Sequence, residues 1–378
     1  MAGAGFGYTL LWAILFSILA TVVLQEMSAR LGVVGEMGVG EALRKKITHK
    51  LLFSFAANLV ISAILIGNAA YEAGNITGAV LGFEISPIKL LGTAINPLVI
   101  LIGLVAFLLL FSGKFKLIER SLVLLVGVLG GVFLLAAILL KPDLGAVFSG
   151  LFVPALPDDS LLMVLGLIGT TVVPYNLFLH ASSVKEKWKG TNNLSASRWD
   201  TYLSVIFGGI ITMAILITSA VAFSGQAKTV SSAADLAQQL TPILGDWSLV
   251  FIAIGFLAAG LSSSITAPLA AAFATSEIMG WKKNLKGKNF RMIWFLVLIV
   301  GIVFSSLGFK PTQVILFAQV ANGLLLPIVA AFLVWVMNDK QIMGKHANSL
   351  LVNIIGILVI IITLVLGLKG IFSAFKLI

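Results

Sequence analysis

Cysteine is missing from this chain altogether, which excludes disulfides, thiolate metal ligands and cysteine nucleophiles in one step. Charge is scarce: 11% of the 378 residues are charged, against about a quarter in an ordinary soluble domain. Histidine occurs only as His49, His180 and His346, widely separated, so a histidine-built metal centre has little to be made from. No nucleotide loop, zinc pair or nucleophile triad is spelled out, and an enzyme is not indicated. The longest polar connections, 185–200 and 225–247, are too short to hold a core of their own.

What the chain does have is apolar surface. It is 59% hydrophobic with a mean hydropathy of +1.10. Apolar runs of about 20 residues, the length needed as helix to cross roughly 30 Å of hydrocarbon, recur throughout. Apolar and polar residues do not alternate, so helices rather than a barrel are expected. Ten spans are predicted, near 8–24, 51–80, 97–112, 118–140, 161–184, 201–224, 248–279, 291–308, 311–337 and 349–367. The expected fold class is an all-α polytopic membrane protein with a single transmembrane domain over 1–378. The small-residue stretch from Gly255 to Ala274 suits close helix packing in a membrane.

The net charge of +10 raises the question of a nucleic-acid partner, and the placement of the basic residues answers it. The segments 30–50, 114–120, 185–198, 282–291 and 340–345 hold 19 of the 25 lysines and arginines. All five are connections on one side of the predicted spans, which the positive-inside rule makes cytoplasmic, with both termini outside. Asp143, Asp158, Asp159, Asp235 and Asp246 fall on the other side. No basic cluster is interleaved with aromatics as a nucleic-acid surface requires. The first 24 residues lack a basic segment and a clear cleavage site, so they are not read as a signal peptide. The expected place is the cell inner membrane or plasma membrane, with the lipid bilayer as partner.

Breaks inside spans matter because a freed backbone carbonyl in hydrocarbon is tolerated only where it lines a site or a wet cavity. Three are predicted. In 161–184, Pro174 removes a backbone donor and clashes with the previous turn, so the carbonyls of Gly169 and Thr170 lose helical partners. In 261–269, Pro268 follows a Ser/Thr cluster. In 311–337 stand Gln319, Asn322 and Pro327.

Polar residues gather around the first break. Tyr175 and Asn176 follow it, and His180 lies four residues after Asn176 on the same helical face. Thr170 and Asn176 read as solute contacts and His180 as a proton relay or gate; equally, Asn176 caps the broken helix and His180 bonds a neighbouring one. Asn68, Glu72 and Asn75 share a face deep in the second span, making Glu72 the candidate for proton coupling, or else a protonated carboxyl in a fixed bond. Gln319 offers an amide oxygen to a cation or serves to bind helices together.

The stretch GTTVVPYNLFLHASSV at 169–184 resembles the sixth helix of the Nramp divalent-metal transporters, with its Met-Pro-His-Asn break and later second histidine. AGAGFGYTLLW and LQEMSARLGVV resemble the second helix, AAGLSSSITAP the eighth and LFAQVANGLLLP the tenth. The resemblance implies a LeuT-like five-plus-five inverted repeat with broken first and sixth helices. It also implies that the ten spans are helices two to eleven, the chain starting after the first helix and its Asp-Pro-Gly-Asn metal site. Where the family has a sulfur ligand this chain has Val173; Tyr175 stands at the family's histidine; the third-helix acidic pair is reduced to Glu72. The backbone carbonyl of Thr170 and the amide of Gln319 are the metal-ligand candidates carried over, with Asn176 beside them.

These readings converge on a secondary transporter of a divalent metal ion, coupled to protons and needing no cofactor. Another small solute on the same fold, or a truncated inactive membrane protein, remains the alternative.

Overall fold

The computed structural model describes residues 1–83, 88–90, 93–113, 116–224, 230, 232–281, 284–307 and 325–374. Short α1 (Ala2–Phe6) precedes α2 (Leu11–Val34), and α3 (Val39–Lys46) joins it to α4 (Lys50–Val80). An antiparallel pair, β1 (Ile88–Leu90) and β2 (Thr93–Ile95), leads to α5 (Pro97–Ser112), α6 (Lys116–Leu139) and α7 (Leu144–Phe152). Then come α8 (Leu161–Thr171), α9 (Pro174–Lys187), α10 (Leu194–Ala222), α11 (Ala233–Ala237), α12 (Thr241–Leu244) and α13 (Ser248–Met279). The described chain closes with α14 (Lys288–Ser306), α15 (Leu325–Met337), α16 (Lys340–Met343) and α17 (Leu350–Ala374).

Local chemistry explains several boundaries. Asn96 starts α5 by accepting from Leu98 N at 2.9 Å, with Pro97 at the first helical position where no donor is missed. Asp143 does the same for α7 through Ala146 N at 3.1 Å. Gly280, at φ 70°, ends α13 in the left-handed conformation that glycine adopts freely.

Among the described residues, eight helices are long and apolar enough to cross a membrane, and α15 with α16, bent by 63°, makes a ninth candidate. With the shorter apolar α5 these fall at the ten predicted positions, the predicted span 311–337 being described only from residue 325 onward. The first is longer than predicted: α2 runs to Val34 rather than ending near residue 24. Its extra turns carry Glu26 and Arg30, which neutralise each other at 2.9 Å, and Glu26 also holds Arg198 at 2.8 Å. Paired, these charges no longer end the helix.

The break predicted at 261–269 is not there. α13 is continuous through Pro268. Proline deletes one helical hydrogen bond, and α13 is packed against α4, α14, α6 and α3, which support it on either side of the proline. Gly260 shows how close that packing is: a Cβ there would stand 2.5 Å from Ala79 Cβ and from the carbonyl of Asn75. Side chains such as Leu51, Phe55, Leu124, Ile138 and Leu350 stay exposed on the periphery, as lipid-facing residues should.

All five ion pairs among the described residues lie at the end carrying the basic connections. Besides those of Glu26, they are Lys185–Glu41 at 2.8 Å, Lys187–Asp200 at 3.3 Å and Lys46–Asp339. There Glu277 of α13 also accepts from Gly40 N at 3.3 Å and from the hydroxyl of Ser182.

Candidate functional site

The site begins at the gap between α8 and α9. Val172 and Val173 leave the helical conformation, Val173 at φ −89° and ψ 119°, and Pro174 opens α9 as its first residue. An extended residue before proline is what the ring's clash with the preceding backbone demands. The fourth residue after Thr170 is Pro174, which has no N–H to give, so the Thr170 carbonyl has no helical donor. The Gly169 carbonyl is supplied otherwise: Tyr71 Oη of α4 donates to it at 2.9 Å. Thr21 Oγ1 of α2 stands 3.4 Å from the Thr171 carbonyl, its hydrogen directed mainly to Ser17 O at 2.7 Å.

Beside this break lies a cavity of about 400 Å³. Thr170, Val173, Tyr175 and Asn176 reach it from the break, Tyr71 and Asn75 from α4, and Gly260 with Ser263 from α13. Tyr71 and Tyr175 meet edge to face with ring centres 6.0 Å apart, a favoured aromatic geometry. The polar groups around the cavity are carbonyl, amide and hydroxyl oxygens. Among the described residues no three His, Asp or Glu side chains are grouped closely enough to hold a metal ion.

Glu72 is fully buried one position from Tyr71 and turned towards α13 and α14 instead of the cavity. Ser264 stands beside its carboxyl, and Asn75 Nδ2 is 3.5 Å from Oε2. Asn75 therefore touches both the cavity and Glu72. Gly301 of α14 lies against the other side, where an added Cβ would come within 2.7 Å of Glu72 Cβ. Asn68, also fully buried, spends an amide hydrogen on Ile64 O of its own helix at 2.8 Å.

His180 is not among the cavity residues. Its Nε2 is 3.1 Å from Thr201 Oγ1 of α10, and that hydroxyl already donates to Ser197 O at 2.9 Å. That contact ties the His180 ring to α10. Gln319 and Asn322 lie outside the described residues, and Pro327 sits within α15.

The structure thus brings together four of the sequence candidates, Thr170, Val173, Tyr175 and Asn176. It adds Ser263, and with it Tyr71 and Asn75, which the sequence grouped with Glu72 rather than with the break. Tyr71, Asn75 and Gly78 recur at helical spacing on one face of α4, and that signal was readable.

Known proteins resemble this chain in sequence and in fold. The family described as Nramp, natural resistance-associated macrophage protein-like, matches over residues 1–373. A divalent metal cation transporter, MntH, of Klebsiella pneumoniae (strain 342) is 26% identical over 98% of this chain and 87% of its own length. Another, from Yersinia enterocolitica, is 24% identical over 98% of this chain and 88% of its own. The crystal structure of a manganese transporter from Eremococcus coleocola superposes with a TM-score of 0.75 at 23% identity, covering 98% of this chain and 81% of that one.

Proposed function

Because this chain belongs to the Nramp family of membrane transporters, we propose that it moves a divalent metal cation across the membrane through the cavity beside the α8–α9 break, coupled to protons. The observation that carries the proposal is the Thr170 carbonyl, left without a helical donor at the rim of a cavity that Asn176 and Asn75 also line. Partial negative charge on uncommitted oxygens inside a membrane is what a dehydrated cation needs. The amide of Gln319 is proposed as a further ligand.

Pro174 keeps the break open, and Tyr71 secures one wall of it through Gly169. Val173 presents only hydrocarbon. A donor set of oxygens favours harder cations such as Mn²⁺ or Mg²⁺ over softer ones such as Cd²⁺, which a thioether would attract. Glu72 is the proposed proton carrier, reached from the cavity by way of Asn75. His180, joined to Thr201, is proposed as a second carrier towards the cytoplasmic end. The basic connections support a cytoplasmic assignment of that end by the positive-inside rule.

Purified protein in liposomes, with a divalent-cation dye and a pH dye inside, tests the proposal. Uptake of Mn²⁺ accompanied by internal acidification is the expected result. Manganese uptake with no acidification removes proton coupling, and no uptake of any divalent cation removes the function.

A further inference from the structure

At the end of the molecule opposite the ion pairs, two cavities meet at one lysine. The first, of about 650 Å³, is polar in character: Tyr8, Lys141, Asp143 and Ser224 border it together with glycines of the α1 segment. The second, of about 610 Å³, is a groove between α6 and α10 on the membrane-facing side. Leu134, Ile138, Leu144, Ile210, Met213 and Ile217 line it, and Ile138 is 73% exposed. Lys141 and Pro142 belong to both cavities.

Three features of the shared turn, at which Lys141 and Asp143 are both exposed, bear on what the cavities hold. Lys141 has a φ of 47°, a conformation that side-chain-bearing residues avoid, although glycine would take it without penalty. Its ammonium makes no ion pair with any described residue. Asp143 is two positions away, yet its Oδ1 faces the start of α7, 3.1 Å from Ala146 N. An unpaired cation and a carboxylate thus line a polar cavity that shares Lys141 and Pro142 with an apolar groove.

We propose that the two cavities together hold one zwitterionic aminophospholipid. Its phosphate meets the Lys141 ammonium, its own ammonium meets the Asp143 carboxylate, and an acyl chain lies in the groove between α6 and α10. The charge pattern selects this class: a headgroup bearing phosphate alone would satisfy Lys141 and leave Asp143 facing an anion. The strained turn holds Lys141 where the polar and apolar spaces join, which is where a lipid's phosphate sits relative to its chains.

Delipidated full-length protein in detergent, titrated with synthetic phosphatidylethanolamine or phosphatidylglycerol and read by native mass spectrometry, tests this. One phosphatidylethanolamine is expected to be retained in preference to phosphatidylglycerol. Lys141→Gly and Asp143→Asn should each lower retention about tenfold, as loss of one charge-assisted contact implies. Ile138→Trp should lower it by filling the groove. Lys141→Gly relieves the turn and Asn caps a helix as well as Asp does, so neither variant should unfold earlier than wild type in lipid-free detergent. Equal or greater retention of phosphatidylglycerol, wild-type retention by Lys141→Gly, or retention of neither lipid would overturn the proposal.

Discussion

The phenol of Tyr71 donates to the backbone carbonyl of Gly169 at 2.9 Å, joining residues 98 positions apart. One side chain of α4 thus substitutes for a hydrogen bond that the broken helix cannot make for itself. Tyr71→Phe keeps the ring packed against Tyr175 and removes only the donor. A buried carbonyl left unpaired costs about 1–3 kcal/mol, so thermal unfolding should occur earlier and cation uptake should fall several-fold. A variant with wild-type melting and uptake would show that the contact supports nothing.

Glu72 is fully buried and reaches the cavity through Asn75. Glu72→Gln preserves shape while removing the titratable group. Cation uptake driven by the cation's own gradient should persist, and acidification of the liposome interior should be lost. Persistent acidification in this variant rules Glu72 out as the carrier.

Gly301 gives α14 its close approach to Glu72. In Gly301→Ala the new methyl falls within van der Waals overlap of the glutamate stem, an overpacking cost of about 1–3 kcal/mol. Melting should drop, and proton movement should suffer more than cation movement, measured with the two dyes in one preparation.

Val173 places hydrocarbon at the cavity where a sulfur would favour soft metals. Val173→Met should raise Cd²⁺ uptake relative to Mn²⁺. Competition between the two ions in a single uptake assay reads the ratio directly, and an unchanged ratio would mean that position 173 does not face the ion.

Asp339 lies beyond the apolar α15, at the bend into α16 among the basic connections, and its hydrogen bond from Lys46 holds its carboxyl below the ordinary carboxylate range, helped by Gln341 N at 2.8 Å. Lys46 also stands 5.1 Å over the Trp335 ring. Because the folded carboxyl is the stronger acid, its contribution to stability is present above the unfolded value and is lost as pH falls through the lower, folded value. Asp339→Asn should therefore flatten part of the acid limb of a melting-temperature profile while leaving neutral-pH uptake intact.

Much of this architecture was legible in the sequence because bilayer thickness and the cost of unpaired backbone dictate it. Apolar runs gave the positions of the spans, and Pro174 gave the break. Other features depended on contacts that periodicity does not encode. The length of α2 follows from Arg198, 172 positions beyond Glu26. Pro268 stays inside a continuous helix because neighbouring helices support it. His180 shares a helical face with Asn176, yet Thr201 of another helix takes its ring. The role of Tyr71 was hidden because helical spacing shows which face a residue occupies but not what lies opposite.

The central claim is that a divalent cation passes through the cavity at the α8–α9 break, and Mn²⁺ uptake by liposomes carrying wild type or Asn176→Ala tests it most directly. Asn176 lines the cavity without being fully buried, so its truncation should leave the fold intact. The account predicts robust uptake by wild type and a drop of about tenfold in the variant, the loss expected from one charge-assisted contact. Uptake by Asn176→Ala at the wild-type rate would place the ion's path elsewhere, and wild-type liposomes no faster than empty ones would contradict the claim outright.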